Sequence, residues 1–445
     1  MTSQADTPAR GARFALTGWR IENGRAVFGF EDDARAYEET VWCEDTAIPD
    51  TPDRGLSRLL DLLHVALGVS TYKVTAARTI TLPAMTSAGQ AFARRLYTEG
   101  LAEFFVRAGL AYPPGTDIRF GGTLEASPAP EGRGEGATLV AFGGGKDSYV
   151  ARAIVQATGE TAQLASVVMA DTVRDVLTAT APAPVTFLRR RLDPGMLSAE
   201  GFTGHVPITA INTMVLTLYA ALTGAREVVF ANERSADEPT LDAGGVVANH
   251  QDSKGSVMEA LMARAVAETG AAAPVPFSAL RPYAELWIAR AFARLGAGPR
   301  RRFTSCNRNF RLAGDASQRW CGACAKCAFT SLVMTPFLTQ DEHEEAFGGM
   351  FLDAAPLQPF FAQLLGLTNA KPWDCVGTID ECRAALWRLG GQPAWSSSEA
   401  VGRHLPDVLQ HTNERALAAA WDDALTPRPA PGTPTRYQTA AARWD

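Results

Sequence analysis

The sequence predicts an α/β protein: a parallel-sheet core, preceded by a smaller α+β domain and followed by a helical region. Three observations lead there. From residue 138 onward, short apolar runs alternate with loops and helix-like segments, a rhythm that needs crossover connections and so gives a parallel sheet with helices on both faces. Before residue 130 the pattern is that of antiparallel strands joined to amphipathic helices, and beyond residue 341 it becomes helical throughout. A chain of 445 residues, 46% hydrophobic and 20% charged, is too long for one ordinary domain and has ample material for a core. The expected division is 1–130, 137–340 and 341–445.

The elements follow in order. Residues 14–42 alternate in polarity and turn at Glu22-Asn23-Gly24 and at Asp32-Asp33, which reads as antiparallel strands. Helical stretches follow over 56–67 and 88–108. Residues 127–136 are rich in proline, glycine and charge without apolar periodicity, and mark a boundary. Strands are then expected at 138–142, 164–169, 185–188 and 227–230. A helix over 148–157 is closed by Gly159. Another is opened by Pro207, with Ile208, Ile211, Val215, Leu218 and Leu222 on one face. Ligands of parallel sheets bind outside the carboxyl ends of the strands. Those ends coincide with the chemically unusual stretches 143–148, 169–171, 189–191 and 232–237. The proline-rich stretch 427–435 is expected to be mobile.

Composition excludes some classes. A net charge of −6 argues against a nucleic-acid coat, which normally carries a basic excess. Two basic runs, Arg189-Arg190-Arg191 and Arg300-Arg301-Arg302, read equally as solvated surface or as an anion site. No apolar run reaches the length of a membrane span, and residues 1–13 lack the order of a signal peptide, so a cytoplasmic protein without a membrane partner is expected. Neither the oligomeric state nor the role of the N-terminal region can be read from the sequence.

The segment Gly143-Gly144-Gly145-Lys146-Asp147-Ser148 joins a buried strand to a helix. Glycines let backbone N–H groups approach phosphate oxygens, and the helix N-terminus adds partial positive charge. Lys146 offers a point charge, Ser148 a hydroxyl, and Asp147 a ligand for Mg²⁺ or an orderer of the backbone. A purely structural glycine turn is the alternative, made less attractive by the strand before and the helix after.

This loop resembles the SGGxDS loop of the PP-loop ATP pyrophosphatases, with Gly143 in place of the usual serine. The resemblance implies an adenine nucleotide alpha hydrolase-like core that cleaves ATP between its α- and β-phosphates. Further on, Cys306 and the run Cys321-x2-Cys324-x2-Cys327 offer four thiolates, with Gly322 permitting a tight knuckle. Seven cysteines in a chain this long do not suggest a disulfide scaffold; a closed four-thiolate zinc site is favoured, with an iron–sulfur cluster as rival. The order is similar to the zinc-bearing part of the 7-cyano-7-deazaguanine synthases.

Within the same group, the segments 142–148, 204–212, 231–239 and 249–254, the cysteine cluster and residues 371–383 resemble the epimerases of UDP-N-acetyl-α-D-muramoyl-L-alanyl-L-glutamate. That resemblance implies a nucleotide-linked muramoyl dipeptide as substrate, inversion of its terminal L-glutamate, and ATP, Mg²⁺ and structural Zn²⁺ as companions. It also implies a role in making peptidoglycan precursors. Inversion through a planar carbanion needs acid–base groups. The candidates are Glu233 and Asp237 beyond the fourth core strand, His205 and His250 in flanking polar loops, and Cys375, with Cys382 as a second thiol outside the cluster. For each of these, capping, solvation or simple burial is the bland alternative. Two rival functions remain at this level: another adenylating enzyme of the same group, such as a nitrile-forming ligase or a thiolase, and a nucleotide-responsive binding protein with a degenerate loop.

Overall fold

The computed structural model describes residues 8–128, 130, 134–198, 201–310 and 318–445. Its strands are β1 (Arg13–Glu22), β2 (Arg25–Asp32), β3 (Ala36–Cys43), β4 (Thr79–Leu82), β5 (Asp117–Phe120) and β6 (Thr138–Ala141). They continue with β7 (Ala162–Val168), β8 (Val185–Arg191), β9 (Glu227–Phe230), the hairpin β10 (Leu241–Ala243) and β11 (Val246–Ala248), and β12 (Phe277–Ser278). Ten of them form a single sheet in the order β12-β9-β6-β7-β8-β3-β2-β1-β4-β5.

The strands from β12 to β8 are mutually parallel. β6 is their pivot: the chain moves from it to β7 and β8 on one side, then returns to β9 on the other. The carboxyl ends of β6 and β9 therefore flank a topological switch point, where α/β sheets bind ligands. The loop 142–145 and the segment 231–238 leave the sheet there.

The N-terminal strands do not form a separate sheet. β3 pairs antiparallel with β8, setting Thr40 opposite Arg191, Val41 opposite Arg190 and Trp42 opposite Arg189. At this seam Arg190 is buried and forms a two-pronged ion pair with Glu39, and its Nη2 also donates to Ser70 Oγ at 2.6 Å. Arg189 meets Asp171 at 2.7 Å. In the second run, Arg300 pairs with Glu342 and Glu345, and Arg301 with Glu345. Each run thus has one buried arginine, Arg190 or Arg300, that is paired with carboxylates inside the fold, whereas Arg191, Arg301 and Arg302 are exposed, as the solvated-surface reading expects.

The helix Arg54–Thr75 begins where Asp53 accepts from Leu56 N at 2.8 Å, and it is buried along most of its length between the N-terminal strands and the helix Ile208–Thr223. The expected helix over 88–108 is broken in two, Ser87–Tyr97 and Ala102–Arg107, because Thr98 leaves helical geometry at φ −113°, ψ −88°. Beyond the break, the short helix carries Glu103, which meets His205 and His250. β4 and β5, four residues each, are too short to show a period of two and went unseen in the sequence.

The C-terminal region is helical as expected. Its proline-rich stretch is tied down: Arg428 N donates to Pro282 O at 2.9 Å, Thr433 Oγ1 donates to Ser278 O at 2.7 Å, and Ala430 is buried. Prolines lower the entropy that an extended segment loses on docking, so richness in proline does not by itself mean mobility. Among the described residues, no helix is long and apolar enough to cross a membrane.

Candidate active site

The glycine loop follows β6 and opens the helix Lys146–Ala157. Gly144 sits at φ +74°, and a Cβ there would come within 3.0 Å of Thr180 Oγ1, so glycine is required on both counts. Thr304 N donates to Gly144 O at 3.0 Å, and Ser148 Oγ donates to Gly145 O at 2.8 Å, which fixes the turn. At Gly143, by contrast, a Cβ would meet nothing within 4 Å among the described residues, and the backbone is not left-handed.

Gly143, Gly145, Asp147 and Ser148 line a cavity of about 410 Å³ between the ends of β6 and β9. Val173, Leu177, Ile208 and Leu216 contribute an apolar wall, whereas Asn232, Lys254, Lys326 and Asp374 supply polar groups. Cys375 lines the same cavity.

Lys146 turns away from this space. It is 4% exposed, and its ammonium is held by Glu285 and by Asp147, the latter at 2.5 Å. Burial would depress its pKa, but the two carboxylates hold it above the ordinary lysine range. Behind the loop, oxygens of Asp147, Glu233 and Glu285 lie within 4.8 Å of one another. Burial pushes the Glu285 carboxyl up, with Lys146 opposing. Asp147 goes the other way: burial would raise it, but Lys146 draws it below the usual range. Glu233 is 1% exposed, and its Oε2 has no hydrogen-bond partner among the described residues. Lys146 offsets one charge of this set, and the three carboxylates, with one orphaned buried oxygen, keep an excess of negative charge suited to a hard divalent cation.

A second cluster adjoins the cavity. Glu103 Oε2 accepts from His250 Nδ1 and lies 3.3 Å from His205 Nδ1, and the two imidazole rings are 4.5 Å apart. Burial pushes His205 down to about 4, so it is neutral near pH 7. Burial would also lower His250, yet the nearby Cys375 thiol and the hydrogen-bonded Glu103 carboxylate push it up to about 10. Burial would raise the Cys375 thiol, but Lys254 and His250 bring it down to about 7.

The remaining sequence candidates lie elsewhere. Asp237 is exposed, and its Oδ1 accepts from Ser256 N at 2.7 Å, capping the helix Ser256–Ala267 outside the loop cavity. Cys382 is fully buried in the helix Ile379–Gly390, where burial holds the thiol protonated, so it forms no pair with Cys375 in the cavity. Cys306, Cys321, Cys324 and Cys327 bring their sulfurs within 4.8 Å of one another, with Cys321–Cys327 at 3.8 Å and Cys324–Cys327 at 3.5 Å. Four sulfurs about 2.3 Å from one zinc ion would stand roughly 3.8 Å apart, so the thiols fit a tetrahedral ion. Gly322 takes the expected left-handed knuckle at φ +61°. The cluster anchors the segments that carry Ser305, Asn307 and Lys326 to the cavity.

Two family profiles match the chain, one described as the MurL N-terminal domain over residues 6–279 and the other as the MurL C-terminal domain over residues 302–419. The chain belongs to the MurL family. It is 35% identical to the UDP-N-acetyl-alpha-D-muramoyl-L-alanyl-L-glutamate epimerase of Salinispora tropica, over 96% of this chain and 94% of that protein. Proteins of the same description from a Micromonospora species and from Xanthomonas oryzae pv. oryzae are 36% and 34% identical, over 95% and 82% of this chain and 96% and 83% of theirs. No solved structure gives a significant match. In this MurL chain, the glycine loop, Glu103, His205 and His250 fall within the first profile, and the cysteine cluster and Cys375 within the second.

Some site residues left no readable signal in the sequence. Glu285 opens an apolar helix, where a lone acid reads as a favourable first-turn charge. Glu103 looks like an ordinary partner for Arg107, which it does meet at 2.9 Å. Lys254 and Lys326 stood within segments singled out for their neighbours, and only the fold brings them to one cavity.

Proposed function

We propose that this protein inverts the terminal L-glutamate of UDP-N-acetyl-α-D-muramoyl-L-alanyl-L-glutamate, at the expense of ATP cleaved to AMP and pyrophosphate. The product, carrying D-glutamate, is a peptidoglycan precursor. The observation that carries this reading is the glycine loop at a helix N-terminus, opening into a cavity with one apolar wall, in a chain whose relatives bear the epimerase description. The loop's N–H groups suit phosphate oxygens, and the apolar wall suits a purine ring.

ATP has a physical purpose in such a reaction. The α-proton beside a carboxylate is very weakly acidic, because its removal would put a second negative charge next to the first. Converting the carboxylate to an acyl-adenylate removes that charge and leaves a carbonyl able to take up the carbanion's electrons. Proton return to the opposite face inverts the centre, and hydrolysis releases AMP. Asp147, Glu233 and Glu285 would hold Mg²⁺, which would neutralise phosphate charge. The four clustered cysteines would hold a structural Zn²⁺.

The test is to incubate the protein with ATP, Mg²⁺ and the muramoyl dipeptide, then resolve the glutamate enantiomers and quantify AMP and pyrophosphate. D-glutamate formed with matching AMP and pyrophosphate supports the proposal. AMP formation only in the presence of ammonia, an amine or a sulfur donor, with L-glutamate unchanged, would replace it with a ligase or thiolase.

A further inference from the structure

Three stretches remote in sequence come together beside the loop cavity: Glu103 from the N-terminal region, His250 from the loop after β11, and the segment before the helix Ile379–Gly390, whose Cys375 lines the cavity. The contact is built on both sides. Glu103 is 2% exposed and also bonds Arg107, so its carboxylate is fixed. His250 N donates to Thr240 Oγ1 at 3.0 Å. The Cys375 segment is held by Lys326, which donates to Cys375 O, and by Gln251 Nε2, which donates to Val376 O at 2.8 Å. Farther along it Lys371 Nζ meets Glu238 at 3.0 Å. A buried carboxylate that orients an imidazole, on a segment bonded to the one carrying a cavity-facing thiol, is the general arrangement that activates a nucleophile or base. The ATP-binding reading leaves this row of groups without a task.

We propose that Cys375, which lines the loop cavity, is the base that removes the α-proton of the adenylated glutamate, with His250 and Glu103 as positioning residues beside it. The proposal rests on the function proposed above and assigns one of its steps. In that step the Cα–H bond breaks, an S–H bond forms on Cys375, and the carbon's electron pair moves onto the acyl oxygen as an enolate. The Lys254 ammonium, which lines the same cavity, then gives a proton to the opposite face of Cα, and the electron pair returns to form the new C–H bond. Afterwards the thiol passes its proton, by way of solvent, to the neutral amine, which restores thiolate and ammonium. The groups that bear on the Cys375 charge are Lys254, His250 and Lys326, all able to carry positive charge. Lys254 also faces Glu233, Asp147 and Glu285, which links this row to the carboxylates behind the loop.

The experiment uses the full chain with ATP, Mg²⁺ and the muramoyl dipeptide, and reads two half-reactions separately. Exchange of labelled pyrophosphate into ATP reports adenylation, and deuterium uptake at the glutamate α-carbon in heavy water reports proton movement. Cys375→Ser is expected to keep pyrophosphate exchange within a few-fold while α-deuteration falls by a factor on the order of 10²–10⁴, the usual worth of a general base. His250→Asn is expected to move the pH midpoint for iodoacetamide labelling of Cys375, followed by peptide mass mapping, from about 7 toward the ordinary thiol value of about 8.5. Glu103→Gln should move it the same way by less. Thermal unfolding checks each variant, and Cys375→Ala takes the place of the serine variant if that one does not fold. Wild-type deuteration in a folded Cys375 variant overturns the proposal, as does loss of pyrophosphate exchange along with deuteration, which would move Cys375 into the adenylation step. Wild-type deuteration without any pyrophosphate exchange overturns the adenylation reading instead, and the Cys375 variant's deuteration then decides this assignment alone.

Discussion

Lys146 stands in the glycine loop, yet its charge is turned inward, away from the cavity, and this distinction can be measured. The side chains of Lys146 and Glu285 are 5% and 3% exposed, so solvent screens their attraction very little. Replacing Lys146 by Met would strand a buried carboxylate, which costs about 3–5 kcal/mol when one partner of such a pair is removed. The double change Lys146→Met with Glu285→Leu removes the two most buried charges, leaves only the more exposed Asp147 without its partner, and should recover part of that loss. The single variant also carries a pH signature. Burial raises the folded-state pKa of Glu285, so in the absence of Lys146 its protonated form is stabilising at low pH. That contribution is lost as pH rises above the ordinary carboxylate range. Urea unfolding followed by circular dichroism, without nucleotide or metal, should show the Lys146→Met midpoint lowered by about 1–2 M at pH 8, given slopes of about 2–3 kcal/mol per M. The deficit should be smaller at pH 5.5. A single variant within about 1 kcal/mol of wild type, or a double variant no better than the single, would refute the counter-ion role and return Lys146 to the phosphate site.

Other consequences follow from the same geometry. Elemental analysis should find about one zinc per chain, as expected of a closed four-thiolate site, and Cys324→Ser should lose it along with stability; iron with visible charge-transfer absorption would contradict this. Gly143→Ser should fold normally, because a Cβ there meets nothing within 4 Å among the described residues. Its added hydroxyl should lower the KM for ATP by roughly fivefold, the worth of about 1 kcal/mol. Burial pushes His64 and His343 down to about 4, below the unfolded value of about 6.5. Their neutral forms therefore support the fold fully above pH 6.5 and lose that support as pH falls toward 4, by up to about 3 kcal/mol each. His64→Gln should flatten the acid limb of the stability profile, and an unchanged limb would count against the burial argument.

The parallel core was legible because its strands and helices alternate with the turn chemistry such units need. β9 coincides with the expected strand, and β6 differs from it by one residue. The N-terminal strands were legible too, since Asn23-Gly24 and the alternation on either side fix a hairpin. Their seam with the core was not, because the pairing of β3 with β8 depends on Glu39 meeting Arg190, an ion pair spanning 151 residues. The candidate site divides in the same way. The glycine loop and the cysteine cluster are local patterns whose chemistry is written in consecutive residues. The cluster of Glu103, His205, His250 and Cys375 is assembled from segments whose spacing carries no period, and only the fold brings it together. Asp237, adjacent in sequence to the site, lies in a cap instead, since one turn of 3-10 helix over Arg234–Asp237 carries its side chain away from the cavity.

The central claim is that carboxylate activation by ATP precedes movement of the α-proton, and the most direct test is the ATP dependence of solvent exchange. The protein is placed in heavy water with the muramoyl dipeptide and Mg²⁺, and the glutamate α-carbon is followed by mass spectrometry with and without ATP. Deuterium should enter only when ATP is present, and an analogue that cannot be cleaved between its α- and β-phosphates should support none, since it leaves the carboxylate charged. Exchange at the full rate without ATP, or with the analogue, would contradict the account.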